Sequence, residues 1–342
     1  MCLIDKGSEV GSHTLSGNCF ETEGFDKLFP DWKKMEEGER PPINQQVSKD
    51  VFKILFSKNS SISIPEFVLP PQIHNGENYI ISLGQLCNWM SEKATELGVD
   101  VFSGFAADEV VYDEANRYVK GIATVDTGIA KNWQPKDTFQ RGMEIHGKQV
   151  VFAEGARGSL SERLIKTFNL RKDCDEQTYG IGLKEVWEVP EESLQPGLVE
   201  HTVGWPLTQD VYGGSFMYHE APNKIHLGYV VGLDYKNPYL NPYKEFQRFK
   251  THPEISHYLK DGKCIKYGAR ALNEGGYYSL PKLTFPGGML AGCSAGMLNV
   301  AKIKGANAAI VSGSIAAEQI YYMLNYGEYV PGVEIIAYRG LI

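Results

Sequence analysis

The stretch Phe285-Pro-Gly-Gly-Met-Leu-Ala-Gly-Cys-Ser-Ala-Gly-Met-Leu-Asn-Val-Ala-Lys-Ile-Lys-Gly-Ala-Asn-Ala-Ala309 decides the reading of this chain. Residues 289–291 form a short apolar run of the kind that makes a buried strand. A glycine-rich turn follows, and small residues then continue as a helix to about residue 323. A strand that ends in Gly292, with Gly296 and Gly305 after it, leaves backbone amides unshielded by any Cβ. Such amides can approach a flat or anionic ligand closely.

Two other segments repeat the theme. Leu3-Ile4-Asp5-Lys6 places an acid at the end of a strand. Dinucleotide folds use such a carboxylate to accept hydrogen bonds from ribose hydroxyls, about 20 residues after a G-x-G-x-x-G phosphate loop. No such loop precedes Asp5 and the chain opens as if in mid-sheet, so an N-terminal strand and loop are expected to be missing. Val151-Phe-Ala-Glu-Gly-Ala-Arg-Gly158 then reads as strand, acid, glycine turn and helix start. The apolar run 149–153 predicts a strand buried on both faces. Ser159 followed by Glu162 predicts a capping box on a helix over 160–168.

Between these segments the pattern fills in. Residues 7–17 are a Gly/Ser loop. Residues 83–97 are an amphipathic helix with Leu83, Leu86, Met90, Ala94 and Leu97 on one side and Gly98 as its stop. A strand follows at 99–102, and 109–112 with 119–125 make a hairpin around Asn116. From 179 to about 271, strands rich in aromatics and glycine (186–189, 216–219, 226–233) suggest an antiparallel region inserted between two parts of an α/β domain. The predicted class is α/β: a dinucleotide-type fold with an inserted, mainly antiparallel α+β domain.

Composition narrows the function. The chain has 342 residues, 34 Lys+Arg against 42 Asp+Glu, and a net charge of −8. With no basic run, no nucleic-acid partner is expected. Six scattered cysteines with no C-x-x-C pair argue against zinc or iron–sulfur ligation within these residues. No secretory signal is evident, so a reducing compartment is the default.

Two stretches are candidates for membrane contact. Phe52-Lys-Ile-Leu-Phe56 and Ile62-Ser-Ile-Pro-Glu-Phe-Val-Leu-Pro-Pro71 are densely apolar but broken by proline. A spanning helix needs about 20 apolar residues, so this region can lie in a membrane interface but not cross it. The helix over 305–324 is rich in Ala, Ser and Gly, which favours close packing beneath a ligand over a lipid-facing span.

Longer motifs then carry a family resemblance. They are Gly11-Ser-His-Thr-Leu-Ser-Gly17, Tyr179-Gly-Ile-Gly-Leu-Lys-Glu185, His201-Thr-Val-Gly-Trp-Pro-Leu207, Tyr212-Gly-Gly-Ser-Phe216, Gly232-Leu-Asp-Tyr-Lys-Asn-Pro-Tyr239 and Tyr267-Gly-Ala-Arg-Ala-Leu-Asn-Glu-Gly-Gly276. The chain resembles the electron transfer flavoprotein–ubiquinone oxidoreductase family from its start to about residue 323. The resemblance implies an FAD-binding domain over 1–176 and 273–325, with a membrane-docking segment at 50–71. It further implies a ubiquinone-binding domain over 177–272, and residues 326–342 are a divergent tail. Asp5, His13, Ser16, Gly17, Glu154, Gly155, Gly292, Cys293, Gly296, Asn299 and Gly305 fall on FAD-binding elements. Gly213 and Gly214 fall on the glycines that meet the quinone head.

The family has cysteine at position 293, so no redox-active thiol is inferred there. Ala295 and Ala301 stand where the family usually has proline, which is expected to loosen that loop. A [4Fe-4S] cluster is the family's second redox centre, and its ligands are not in this chain. The implied partners are ubiquinone, electron transfer flavoprotein and the surface of the mitochondrial inner membrane, with the protein a membrane-associated monomer. No side-chain catalytic acid is named by the motifs. The rival readings are a geranylgeranyl-reductase-like or FixC-type flavoenzyme, and a truncated remnant that does not hold FAD.

Overall fold

A computed structural model describes residues 1–14, 17–115 and 117–341. The deciding stretch begins with the strand Gly288–Leu290, which lies between Val150–Phe152, parallel to it, and Thr284–Phe285, antiparallel to it. Phe285, Met289 and Leu290 are fully buried. They pack with Phe152, Leu160 and Leu164 from the strand and helix 150–167, and with Ala316 and Met323 of the helix Ala306–Tyr326. The tail set apart as divergent closes this core. Tyr338 is fully buried, and its hydroxyl donates to the Leu290 carbonyl at 3.0 Å.

Two expectations need correction here. Val150–Phe152 is not buried on both faces, because Val151 is 38% exposed. Side chains alternate along a strand, and among the described residues only the Phe152 face meets the core. The capping box is also replaced. The helix Ser159–Thr167 has Gly158 at its N-cap and no side-chain cap from Ser159. The carboxylate of Glu154 reaches back instead, accepting from the Leu160 N–H at 3.2 Å and from the Ser161 N–H and hydroxyl at 2.6 Å each. It serves the same unpaired amides from outside the helix.

Cys2–Asp5 pairs in parallel with Asp100–Ser103, so the acid at position 5 does end a strand. The helix just before Asp100–Ser103 is Leu83–Glu96, whose buried residues are Leu86 and Trp89. The hairpin is formed by Ala107–Tyr112 and Val119–Thr124, and its tip at Asn116 lies outside the described residues.

The second layer is a seven-stranded sheet. Its order is Lys263–Asn273, Tyr179–Glu188, Lys224–Gly232, Gly213–Glu220, Leu198–Gly204, Lys49–Ser57 and Ser60–Ile64. All neighbours are antiparallel except Leu198–Gly204 with Lys49–Ser57. The sheet therefore draws two strands from the segment 49–64, which the motifs grouped with the first part of the chain. The helices Pro242–Phe249 and Pro253–Leu259 cover one face, with Phe246, Phe249 and Ile255 packed on Met217, Leu227, Tyr229 and Val231.

Strand alternation fixes what the opposite face carries: Gly180, Gly182, Lys184, Gly214, Phe216, Gly228 and Gly232. That face turns toward the first layer, since Phe216 and Tyr218 pack with Cys19, Val47, Ile80 and Val199. At the far edge, Phe56 is exposed, as are Phe67 (88%) and Val68 in the turn Glu66–Val68. Among the described residues no helix is long and apolar enough to cross a membrane.

Candidate functional site

The parallel pairing of Val150–Phe152 with Gly288–Leu290 sends both strands out at the same edge, so the turns after them meet. The Ala291 N–H donates to the Phe152 carbonyl at 3.1 Å, and the Gly155 N–H donates to Ser294 Oγ at 3.1 Å. Gly155, Gly292 and Gly296 all take positive φ (82°, 56° and 87°), a region glycine enters without strain. A Cβ on Gly155 would point into open space. One on Gly296 would lie 2.5 Å from Gln177 Nε2. The two glycine turns thus share one edge, open in front of Gly155 and closed by Gln177 over Gly296 and by Ala309 over Gly292.

The other expected residues distribute unevenly around this edge. Cys293 lies beside Gly305, its Sγ 3.9 Å from where a Gly305 Cβ would stand. Burial pushes the Cys293 thiol up, so it carries no ready thiolate. Asn299 is exposed, and its Oδ1 is used by its own turn, accepting from the Lys302 N–H at 3.1 Å. Glu154 spends its carboxylate on the helix cap described above. Asp5 accepts from the Gly7 N–H at 2.6 Å.

Gly17 lies against the glycine-bearing sheet face, where His226 leaves no room for a Cβ and Lys184 donates to the Gly17 carbonyl at 2.9 Å. Ser16 lies outside the described residues. His13 offers its carbonyl to Arg270 at 2.8 Å and lines a separate groove of about 600 Å³ with Gly11, Arg40, Trp89 and Arg270. Gly213 and Gly214 open the strand Gly213–Glu220. A Cβ on either would run into a neighbouring strand, the Val230 carbonyl for Gly213 and the Thr202 carbonyl, at 2.7 Å, for Gly214.

Four residues were not named as site residues from the sequence, although Lys184, Asn273 and Glu274 lie within the quoted motifs. Gln177 Nε2, Asn273 Oδ1 and Glu274 Oε2 are buried atoms without a hydrogen-bond partner among the described residues. All three belong to the short segments that run between the 292–296 turn and the glycine-bearing sheet face. A buried polar atom left unpaired costs about 1–3 kcal/mol, and these three, of ten such atoms among the described residues, are the ones beside the glycine turns, where a polar ligand or water would complete them. The fourth is Lys184, whose ammonium sits over the Phe216 ring at 5.2 Å and is lowered to about 8 by burial.

One signal could have exposed part of this group. Asn273-Glu274 ends a strand and runs into Gly275-Gly276, the same strand–acid–glycine grammar that singled out Glu154. Glycines cleared of Cβ atoms and orphaned donors and acceptors together fit a planar heteroaromatic group with its own N–H and C=O edges. Among the described residues no group of three or more His, Cys, Asp or Glu could hold a metal ion, and all six cysteines are free.

A strand pair ending in apposed glycine turns, set against an antiparallel sheet, is the architecture of FAD-dependent flavoenzymes. A geranylgeranyl bacteriochlorophyll reductase-like protein from Thermoplasma acidophilum superposes with a TM-score of 0.70 at 17% identity, over 99% of this chain and 75% of that one. The flavin-dependent brominase Bmp2 gives 0.64 at 16% identity, over 99% and 76%. At such identities the likeness concerns the fold.

Sequence similarity is more specific. Residues 179–272 match the profile described as ETF-QO, ubiquinone-binding. The mitochondrial electron transfer flavoprotein–ubiquinone oxidoreductase of Mus musculus is 54% identical over 327 residues, 95% of this chain and 52% of that protein. The Homo sapiens protein is 53% identical over the same shares, and that of Dictyostelium discoideum 49% over 324 residues. The chain is thus a homologue of the electron transfer flavoprotein–ubiquinone oxidoreductases, as its motifs imply, and it spans about half the length of the curated relatives it matches.

Proposed function

We propose that this chain carries the FAD- and ubiquinone-binding region of an electron transfer flavoprotein–ubiquinone oxidoreductase. In that reading it takes electrons from reduced electron transfer flavoprotein and reduces ubiquinone at the mitochondrial inner membrane. The observation that carries the reading is the Gly155–Ser294 hydrogen bond, which joins two glycine turns of distant sequence into one edge.

Gly155, Gly292, Gly296 and Gly305 hold the flavin by backbone groups, while Gln177 and Asn273 supply a donor and an acceptor to its polar rim. Asp5, at its strand end, serves the ribose. FAD, when bound, supplies the two-electron redox chemistry; the protein orients it and sets its electrostatics. Ubiquinone meets the sheet at Gly213 and Gly214. The exposed apolar residues Phe56, Ile62, Phe67 and Val68 dock that sheet edge in the membrane interface, where the isoprenoid tail resides. No step is assigned to a [4Fe-4S] cluster, since the described residues offer no ligand set for one.

Reconstitution tests this directly. The purified chain is incubated with FAD, desalted, reduced with dithionite and mixed anaerobically with a short-tailed ubiquinone. Retained flavin absorbance that is restored on adding quinone supports the reading. A folded protein that stays colourless, or one whose bound flavin ignores quinone, contradicts it.

A further inference from the structure

Three of the unpaired buried polar atoms, on Gln177, Asn273 and Glu274, lie between the two proposed ligands, and one of these three belongs to an acid. Glu274 follows the strand Lys263–Asn273 and is pinned by its N–H, which donates to the Thr178 carbonyl at 2.7 Å. Its carboxylate covers Gly180, where a Cβ would lie 2.5 Å from Oε1. Gly180 pairs across the sheet with Gly232, and the Gly232 N–H donates at 2.8 Å to the carbonyl of Tyr212, the residue before Gly213. Strands are spaced about 5 Å apart, so Glu274 stands roughly 10 Å from the proposed quinone glycines.

On its other side, Gln177 accepts from the Gly275 N–H at 2.7 Å and lays its Nε2 against Gly296 in the flavin turn. Asn273, almost fully buried, presents its own unpaired Oδ1 alongside. One short polar segment therefore meets the flavin turn at Gly296 and covers Gly180 on the sheet face that carries Gly214.

We propose that Glu274 is the residue through which protons reach the quinone. The proposal rests on the function proposed above and adds the proton path to it. Two electrons from the reduced flavin and two protons convert a quinone to a quinol. Each proton leaves the Glu274 carboxyl and crosses to a quinone oxygen through intervening water, and the resulting carboxylate is reprotonated from solvent on its half-exposed side. The unpaired Oε2 is the atom that carries the proton inward.

The surroundings suit this work. Asp234 faces Glu274 from the turn after Gly232, and Tyr212 faces it from the loop before Gly213. Arg157, Arg171 and Glu162 act on neighbouring Tyr179. Burial first, and then the Asp234 charge, push the Glu274 carboxyl up to about 7, so it can both hold and release a proton at neutral pH.

The test has two readouts. Infrared titration of the purified chain should show a protonated carboxylic acid that ionises near neutral pH and vanishes in Glu274→Gln. In FAD-loaded chain reduced with dithionite, Glu274→Gln should slow quinol formation about 100-fold and remove the neutral limb of its pH profile. Glu274→Asp should restore part of the rate, with rates in both variants expressed per bound flavin. If no carboxyl titrates near neutrality, or if Glu274→Gln reduces quinone at the parent rate and pH profile, the inference is overturned. A parent chain that binds flavin but never reduces quinone overturns the function proposed above instead.

Discussion

The Gly155 N–H and the Ser294 hydroxyl oxygen are 3.1 Å apart although 139 residues separate them in the chain. This one bond joins the turn after Val150–Phe152 to the turn after Gly288–Leu290. Removing the hydroxyl should cost about 1 kcal/mol of stability, since the amide faces the shared edge and keeps partial access to water. Ser294→Ala is therefore expected to lower the urea midpoint slightly and to lower flavin retention far more. Equal losses in both would show that the bond only supports the fold.

Gly296 is a sharper probe of the same edge. Its φ of 87° strains any L side chain, and a Cβ would press on Gln177 Nε2. Gly296→Ala should remove flavin binding while the circular dichroism of the sheet stays intact. Retained flavin at the parent affinity would place the cofactor elsewhere.

Glu154 acts as a cap, so its loss should appear as helix instability. Glu154→Ala leaves the Leu160 and Ser161 amides unserved, at a cost of about 1–2 kcal/mol. Glu154→Gln, which keeps an acceptor, should recover about half of that by urea denaturation. If both variants match the parent, the cap is decorative.

A buried ion network ties the sheet to the helix Pro253–Leu259. Lys53 Nζ lies 2.7 Å from carboxylate oxygens of both Glu200, almost fully buried, and Glu254. Lys53→Met would leave Glu200 unpaired in the interior and should cost about 3–5 kcal/mol. Adding Glu200→Gln should return much of it, a coupling that a double-mutant cycle measures. Additive losses would contradict the pairing.

Acid should weaken the protein well above the range where carboxylates titrate. His201 and His219 are buried and lowered to about 3. Burial is the main cause in both, joined by the Lys304 charge for His201 and by His257 and His226 for His219. The unfolded chain binds protons at these positions near pH 6.5, and the folded chain resists them down to about 3. Stability is therefore full above pH 6.5 and falls as pH drops, by up to about 1.4 kcal/mol per pH unit for each histidine. Urea midpoints at several pH values between 7.5 and 4.5 should show this slope. A flat profile over that interval would contradict it.

The fold was legible where glycine and periodicity spoke together. The strand–turn–helix at 285–309, the helix ended by Gly98 and the antiparallel character of 179–271 all emerged from residue pattern. The face of the 83–96 helix was read less well, because Trp89 buries while Leu97 lies beyond the last turn in solvent. The strands Lys49–Ser57 and Ser60–Ile64 were not read as strands, because Val51-Phe-Lys-Ile-Leu-Phe56 is a dense apolar run without clean alternation and Ile64 runs straight into Pro65. Their place in the seven-stranded sheet depends on pairing with residues about 150 positions away, which no local pattern encodes.

The site divides the same way. Glycine turns announce themselves through composition. Gln177, Asn273 and Glu274 matter because their atoms are buried without partners, a property that exists only once the chain is folded. Ser159 and Glu162 fit a capping pattern, yet Glu154 won the position because its longer reach serves two amides and a hydroxyl at once.

The most direct test is a crystal structure of the chain grown with FAD. The isoalloxazine ring should lie against the Gly292–Gly296 turn, with its polar rim on Gln177 and Asn273 and one face toward the glycine-bearing sheet. A flavin found instead in the groove lined by His13, Trp89 and Arg270, with the Gly155–Ser294 edge bare, would contradict the account.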